Sequence, residues 1–311
     1  MAGRVWVITG ASSGFGLAIA SYALSRGERV IVTVRSPSKF PETLKAAGAH
    51  ALYLDMSSSD DIIKKTAEDA VQIYGHVDVL INNVGTVAIG RGPLEELSID
   101  EIRQLFQINL FSMLIFSQPF IAHFRSRQAG HILNISSYWG VSSPPGADVY
   151  AATKSALNTF THNLASELRL FGVKVHLILP GCFYDTNIWP SEDALPVASV
   201  GSYTDLNTQG IDAVRFQRHK SANRGQAGDT EELAVRIYEI VAGVGLAGDT
   251  IRDAKHPEWV WVPLGSDSGQ DCKQKLSEML QCIDALEPIW RSTDISGEPL
   301  AEMYSKFGAQ E

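Results

Sequence analysis

Val5-Trp6-Val7-Ile8-Thr9-Gly10-Ala11-Ser12-Ser13-Gly14-Phe15-Gly16, running on into Leu17-Ala18-Ile19-Ala20, is the stretch that decides the fold. The apolar run Val5 to Ile8 reads as a short buried strand, and the helix that opens at Leu17 stops near Gly27. Glycine permits a tight strand-to-helix turn and lets a backbone approach a pyrophosphate closely. The helix N-terminus offers unpaired N–H groups and a positive dipole end to that anion. The spacing is Gly-x-x-x-Gly-x-Gly, not the Gly-x-Gly-x-x-Gly of the standard dinucleotide fingerprint. An ordinary Gly/Ser-rich turn is the bland alternative, and the flanking strand and helix argue against it.

Working outward, further strands are predicted at 29–34, 50–54, 77–81, 131–135, 174–179 and 259–262. Between them lie helical segments. Ser59 caps one that ends at Gly75, and the capping box Ser98-Ile99-Asp100-Glu101 starts a long one carrying Asn109. Another bears Tyr150 and Lys154 and runs to about Phe171, and Asp229 caps one through Val241. This alternation predicts a doubly wound α/β fold, a central parallel sheet of about seven strands with helices on both faces. We read one domain over 1–311, with a loop of about 186–228 over the site and a helical extension of about 270–311. Ligands in such sheets bind beyond the carboxyl ends of the strands, where strand order reverses. The glycine turn, the Asn82 segment, Ser137 and Pro180 all follow strands, so they are expected on one edge.

Tyr150 and Lys154 stand four apart, on one face of their helix. A phenol has an ordinary pKa of about 10, and an ammonium beside it favours the phenolate. Ser137 lies thirteen residues upstream, where its hydroxyl can hydrogen-bond an oxygen that gains or loses charge. Such a trio suits hydride chemistry at a carbonyl or an alcohol. Ser136 is the competing serine and is read as structural.

Thr9-Gly10-x-x-x-Gly14-x-Gly16, Asn82-Asn83-Val84-Gly85, Asn109, Ser137, Tyr150, Lys154 and Pro180-Gly181 together resemble the short-chain dehydrogenase/reductase family, whose fold is the Rossmann type. Val84 stands where that family usually has alanine. The resemblance implies a catalytic set of Asn109, Ser137, Tyr150 and Lys154. Tyr150 then protonates the forming alkoxide, Ser137 holds the carbonyl oxygen, and Lys154 lowers the phenol and binds the nicotinamide ribose. Asn109 anchors a water that relays protons from Lys154. It also implies a nicotinamide dinucleotide held by Gly10, Ser12, Ser13, Gly14, Phe15, Gly16, Asp55, Met56, Asn83, Val84, Gly85, Tyr150, Lys154, Pro180, Gly181 and Phe183. Thr186 stands six residues after Pro180 where the family spacing is five, which leaves carboxamide anchoring by Thr186 open.

Arg35 follows the second strand, at the place where an acidic residue would bind a ribose 2′-hydroxyl and an arginine a 2′-phosphate. NADP(H) is therefore the expected cofactor. Val87, Ser137, Trp139, Tyr150, Cys182 and Trp189 are the candidate substrate walls, with Val141 and Phe183, and they suggest an apolar or aromatic ketone or aldehyde. An isomerase or epimerase in the same site, and a nucleotide-sensing binding protein without catalysis, are the alternatives.

The remaining composition excludes other classes. The formal net charge of −9 argues against a nucleic-acid surface. Cys182, Cys272 and Cys282 are too few and scattered for a disulfide framework, and the histidines lack ligand spacing, so no metal is expected. The apolar stretch from Ile108 to Phe124 is interrupted by Asn109, Gln118, Pro119 and His123 and reads as a buried helix, not a membrane span. No targeting segment is recognised, so a cytoplasmic enzyme acting on a small molecule, and forming a homo-oligomer if it follows the family, is the expectation.

Overall fold

β1 (Val5–Thr9) is buried along its whole length, because it lies in the middle of a parallel sheet covered on both sides. In the computed structural model the strand order is β3-β2-β1-β4-β5-β6-β7. The others are β2 (Arg29–Val34), β3 (His50–Tyr53), β4 (Val79–Asn82), β5 (Gly130–Ile135), β6 (Val173–Pro180) and β7 (Trp261–Leu264). Every neighbouring pair is parallel. The structure describes residues 3–89, 92, 94–183, 186, 188, 228–254 and 260–293. The chain divides into two units, Met1–Cys272 and Lys273–Glu311.

The two-residue period of β1 sorts its side chains between the faces. Trp6 and Ile8 join Ile19 and Ala23 of α1 (Gly14–Ser25) in one core. Leu233 and Ile237 belong to the same core and come from a helix over Thr230–Ala242. Val5 and Val7 join Ile63 and Ala67 of α3 (Asp60–Ile73), with Phe116, Phe120 and Phe124, in the other. Those three phenylalanines recur every four residues on α5 (Ser112–Arg127), so one stripe of that helix is aromatic and faces the sheet. Fully burying a side chain of this size contributes about 1.5–3 kcal/mol. The helical run Ile99–Arg127 is long and apolar enough to cross a membrane, and here its apolar stripe is used in the core.

The element order is as expected, with local differences. β7 begins at Trp261, two residues later than read, and pairs Leu177 with Trp261 through Pro180 with Leu264; Trp259 lies outside the described residues. Between β2 and β3 the chain forms a helical turn, Pro37–Lys39, and α2 (Glu42–Ala46), which are too short to leave a 3.6-residue pattern. The long helix carrying Asn109 comprises α4 (Ile99–Phe106), a π turn over Gln107–Phe111, and α5. The expected capping box at Ser98 and Glu101 is formed. α6 (Asp148–Arg169) bears Tyr150 and Lys154. With the Thr230–Ala242 helix as α7, Gly245–Asp253 is α8, which the sequence reading did not assign.

In the Lys273–Glu311 unit the described residues complete α9 (Ser266–Ala285) and add α10 (Glu287–Arg291). Leu276, Met279, Leu280 and Ile283 are exposed on α9.

Candidate active site

β1 has β2 on one side and β4 on the other, so the chain turns away in opposite directions at its carboxyl end. That is the switch point at which a crevice must open. Gly10 leaves β1 at φ 69°, in the left-handed region that glycine enters without a Cβ penalty. A Cβ at Gly16 would stand 2.5 Å from the Gly10 carbonyl oxygen, so only glycine lets α1 close on the turn. Asn83 Nδ2 donates to the carbonyls of Thr9 and Gly10 at 2.9 and 3.2 Å. Thr9 Oγ1 accepts from the backbone N–H groups of Asn83 and Val84. These bonds sew the end of β4 to the turn. Ser13, at the N-cap of α1, makes no side-chain cap, so its hydroxyl leaves the first-turn N–H groups to other acceptors.

The crevice is a cleft of about 620 Å³. Gly10, Ser12, Ser13, Gly14, Phe15, Arg35, Asp55, Met56, Asn83, Val84 and Gly85 line it, and so do Val87, Ser137, Trp139, Tyr150, Lys154, Pro180, Gly181, Cys182, Phe183 and Thr186. Gly16 and Asn109 lie behind its wall, and Trp189 is outside the described residues, as is most of the 186–228 loop. Residues from β1, β2, β3, β4, β5, β6 and α6 thus converge although the sequence separates them widely.

Tyr150 and Lys154 are both buried. Ser137, on the link that follows β5, lies near enough to Tyr150 for its hydroxyl to favour the ionised phenol, and its Oγ accepts from the Trp139 N–H at 3.2 Å. Lys154 Nζ donates to the Ile135 carbonyl at 3.0 Å and lies 5.9 Å from the centre of the Tyr150 ring. Burial pushes the phenol up to about 12, against a smaller downward pull from the Ser137 hydroxyl. Burial also brings Lys154 down to about 8. The sequence reading had the ammonium lowering the phenol; in this geometry the low dielectric disfavours both charged forms.

Asn109 is buried in the π turn with its amide fully engaged. Oδ1 accepts from Thr86 N at 2.8 Å, while Nδ2 donates to Thr86 O at 2.9 Å and Thr153 Oγ1 at 3.2 Å. It therefore clips the chain after Gly85 to the helices. A Cβ on Gly85 would stand 3.2 Å from Lys154 Nζ and 3.7 Å from Asn109 Oδ1, so the missing side chain lets the two groups approach. Asn82 is turned away from the cleft: its Nδ2 donates to Ser117 Oγ and Asn134 Oδ1, each at 2.8 Å.

At the other end Arg35 is exposed at the cleft, and its charge adds to what holds the Asp55 carboxyl low. The larger cause is Ser57, whose N–H and hydroxyl both donate to Asp55 Oδ1, at 2.9 and 2.7 Å. Asp55 therefore fixes its own turn as well as lining the cleft. Phe183 packs edge-on against Phe15 of the glycine turn, ring centres 5.2 Å apart. The turn carrying Phe183 is held by Asp267, which the sequence reading did not assign as a site residue: Oδ2 accepts from Cys182 N at 2.9 Å. Nothing in the local pattern marks Asp267, because its partner lies 85 positions away. Ile89 and Ile188 were also missed and extend the apolar wall formed by Val87, Trp139 and Cys182.

A family model described as short chain dehydrogenase matches residues 4–194. An uncharacterized oxidoreductase of Bacillus subtilis, YusZ, is 31% identical over 250 residues, which is 76% of this chain and 84% of that protein. Retinol dehydrogenase 8 of Homo sapiens is 35% identical over 188 residues, 57% of this chain and 58% of that protein. The crystal structure of a short-chain dehydrogenase from Streptomyces avermitilis superposes with a TM-score of 0.78 at 28% identity, covering 95% of this chain and 100% of that one.

Proposed function

Since the chain belongs to the short-chain dehydrogenase family and is an oxidoreductase of that family, we propose that it uses NADP(H) to interconvert an apolar or aromatic ketone or aldehyde with its alcohol. The observation that carries this reading is the meeting of Ser137, Tyr150 and Lys154 in one cleft with the glycine turn. The cleft fits a dinucleotide on its own terms. Gly10 and Gly14 line the turn without side chains, and Ser13 leaves the α1 N–H groups uncapped. Arg35 is exposed where a 2′-phosphate would lie, which supports NADP(H) over NAD(H).

When bound, the nicotinamide supplies a hydride to the carbonyl carbon, or accepts one from the alcohol. Tyr150 donates its phenolic proton to the oxygen that gains charge, and recovers one from the alcohol in the reverse direction. Ser137, oriented by the Trp139 N–H, donates to the same oxygen; a preorganised donor of this kind contributes about 3–4 kcal/mol. Lys154 holds ribose hydroxyls and takes part in returning the proton, while Asn109 keeps the backbone at Thr86 in place. Trp139 packs edge-on against the Tyr150 ring, centres 6.0 Å apart, and covers the phenol on that side. Val87, Ile89, Trp139, Cys182 and Ile188 form the substrate wall, which supports an apolar partner; the similarity to a protein named for retinol agrees with it.

The test is a spectrophotometric screen of aryl and alkyl ketones, aldehydes and alcohols with NADPH and NADH, followed by the loss or gain of reduced nicotinamide. Net oxidation of NADPH by an apolar carbonyl compound is the expected result. Cofactor binding without turnover on any of them would sink the proposal in favour of a sensing protein.

A further inference from the structure

Ser137 sits on a link whose two ends are both tied to α6. On the β5 side, Ser136 Oγ donates to Asn158 Oδ1 at 2.6 Å. On the far side, Asn158 Nδ2 donates to the Gly140 carbonyl at 3.2 Å, and Ser155 Oγ donates to the same oxygen at 2.8 Å. A carbonyl only accepts, so the amide of Asn158 has one orientation, Nδ2 toward Gly140 and Oδ1 toward Ser136. Gly140 has no room for a side chain: a Cβ there would stand 2.7 Å from Asn158 Nδ2 and 3.0 Å from the Lys154 carbonyl carbon. Asn158 is itself buried.

Tyr150, Lys154 and Asn158 follow one another at four-residue steps, so α6 presents all three along one face. The phenol, the ammonium and the clamp on the serine link are therefore built on one rigid helix. We propose that Asn158 is a positioning residue for catalysis: by holding Ser136 and Gly140 it sets Ser137 against the Tyr150 phenol. This rests on the functional reading above. A displacement of about 1 Å in such a donor costs on the order of 10²-fold in rate. Asn158 does not line the cleft, so its effect runs through Ser137.

The experiment compares Asn158→Ala, Ser136→Ala, Ser137→Ala and the Asn158→Ala/Ser137→Ala double variant, using NADPH and the aryl ketone that the wild-type protein reduces fastest. Asn158→Ala is expected to lower kcat by roughly tenfold or more, with the KM for NADPH within about twofold of wild type. The double variant is expected to be no slower than Ser137→Ala alone, because the clamp has nothing left to position. A residue that merely supports the fold would lower the melting temperature and slow the double variant by the product of both factors; that result overturns the inference. So does an Asn158→Ala kcat within about twofold of wild type. If Asn158→Ala does not fold, Ser136→Ala removes only the donor to Oδ1 and carries the same test, an unchanged kcat overturning it. If Tyr150→Phe and Ser137→Ala keep wild-type rates, the functional reading has failed instead. A wild-type protein that turns over none of the ketones, aldehydes or alcohols overturns both.

Discussion

Tyr150 meets opposing influences: burial raises its phenol to about 12 while Ser137 pulls it down. A phenol that is buried and neutral holds its proton until the alkoxide forms, which is the state a general acid needs. Tyr150→Phe removes that proton and little volume. We expect turnover to fall by about 10²–10⁴-fold while NADPH affinity, measured by fluorescence titration, stays near wild type. More than about a tenth of the wild-type rate in that variant would exclude the acid role. Lys154 titrates in a different range. Burial depresses its pKa to about 8 from the usual lysine value, so its charge is lost as pH rises through that point. Reductive kcat is expected to decline on the alkaline side near there, and Lys154→Arg, which keeps its charge, should move the decline to higher pH. A decline at the same pH in both proteins would assign it to another group. Both residues were legible in the sequence because a helix fixes their spacing. The direction of the phenol shift was not, because burial is set by chain segments far from Tyr150.

Among the elements, the carboxyl ends of β2 and β3 decide the cofactor. Arg35 leaves β2 exposed, and the Asp55 carboxylate after β3, also exposed, accepts from the Ser57 N–H and hydroxyl. Arg35→Asp is expected to lower kcat/KM for NADPH by at least tenfold and to raise the ratio for NADH, since a carboxylate repels a phosphate and accepts from a hydroxyl. An unchanged ratio would remove Arg35 from the phosphate site. The strands β1 to β6 were readable because each is a short apolar run bounded by turn residues. β7 was placed two residues early because Trp259-Val260-Trp261-Val262 offers two equivalent registers to a reader of apolar runs. The register is set instead by pairing with Leu177 to Pro180 of β6. The π turn at Asn109, the Asp267 clasp on Cys182 and the Asn158 clamp left no sequence signal. Each depends on a polar group meeting a backbone or side-chain partner from another element.

For the whole Met1–Cys272 unit, the acid limit of stability is expected to be set in the sheet. His131 on β5 and His176 on β6 are close enough for their charges to interact, and their Nδ1 atoms are buried without a hydrogen-bond partner among the described residues. Burial first, then the charge of Lys174, holds His131 down at about 3 and His176 at about 4. The unfolded chain takes up these protons near the ordinary histidine value of about 6.5, well before the folded one does. Both side chains therefore favour the folded state fully above that value, and this contribution is lost as pH falls toward 4. For His176 the loss by pH 4 is on the order of 3 kcal/mol. Asp78, held low by the Val5 N–H and Arg127 against the cost of burial, acts at lower pH still, when its carboxylate is protonated. β5 and β6 also lead to Ser137 and Pro180 at the cleft, so acid destabilisation of these strands is expected to reach the catalytic edge. The melting temperature is expected to decline between about pH 6.5 and 4, and the His131→Leu/His176→Leu variant should flatten that slope without changing the one below it. An identical decline in the variant would place the acid sensitivity elsewhere, with His123, which burial also holds low, the next group to replace.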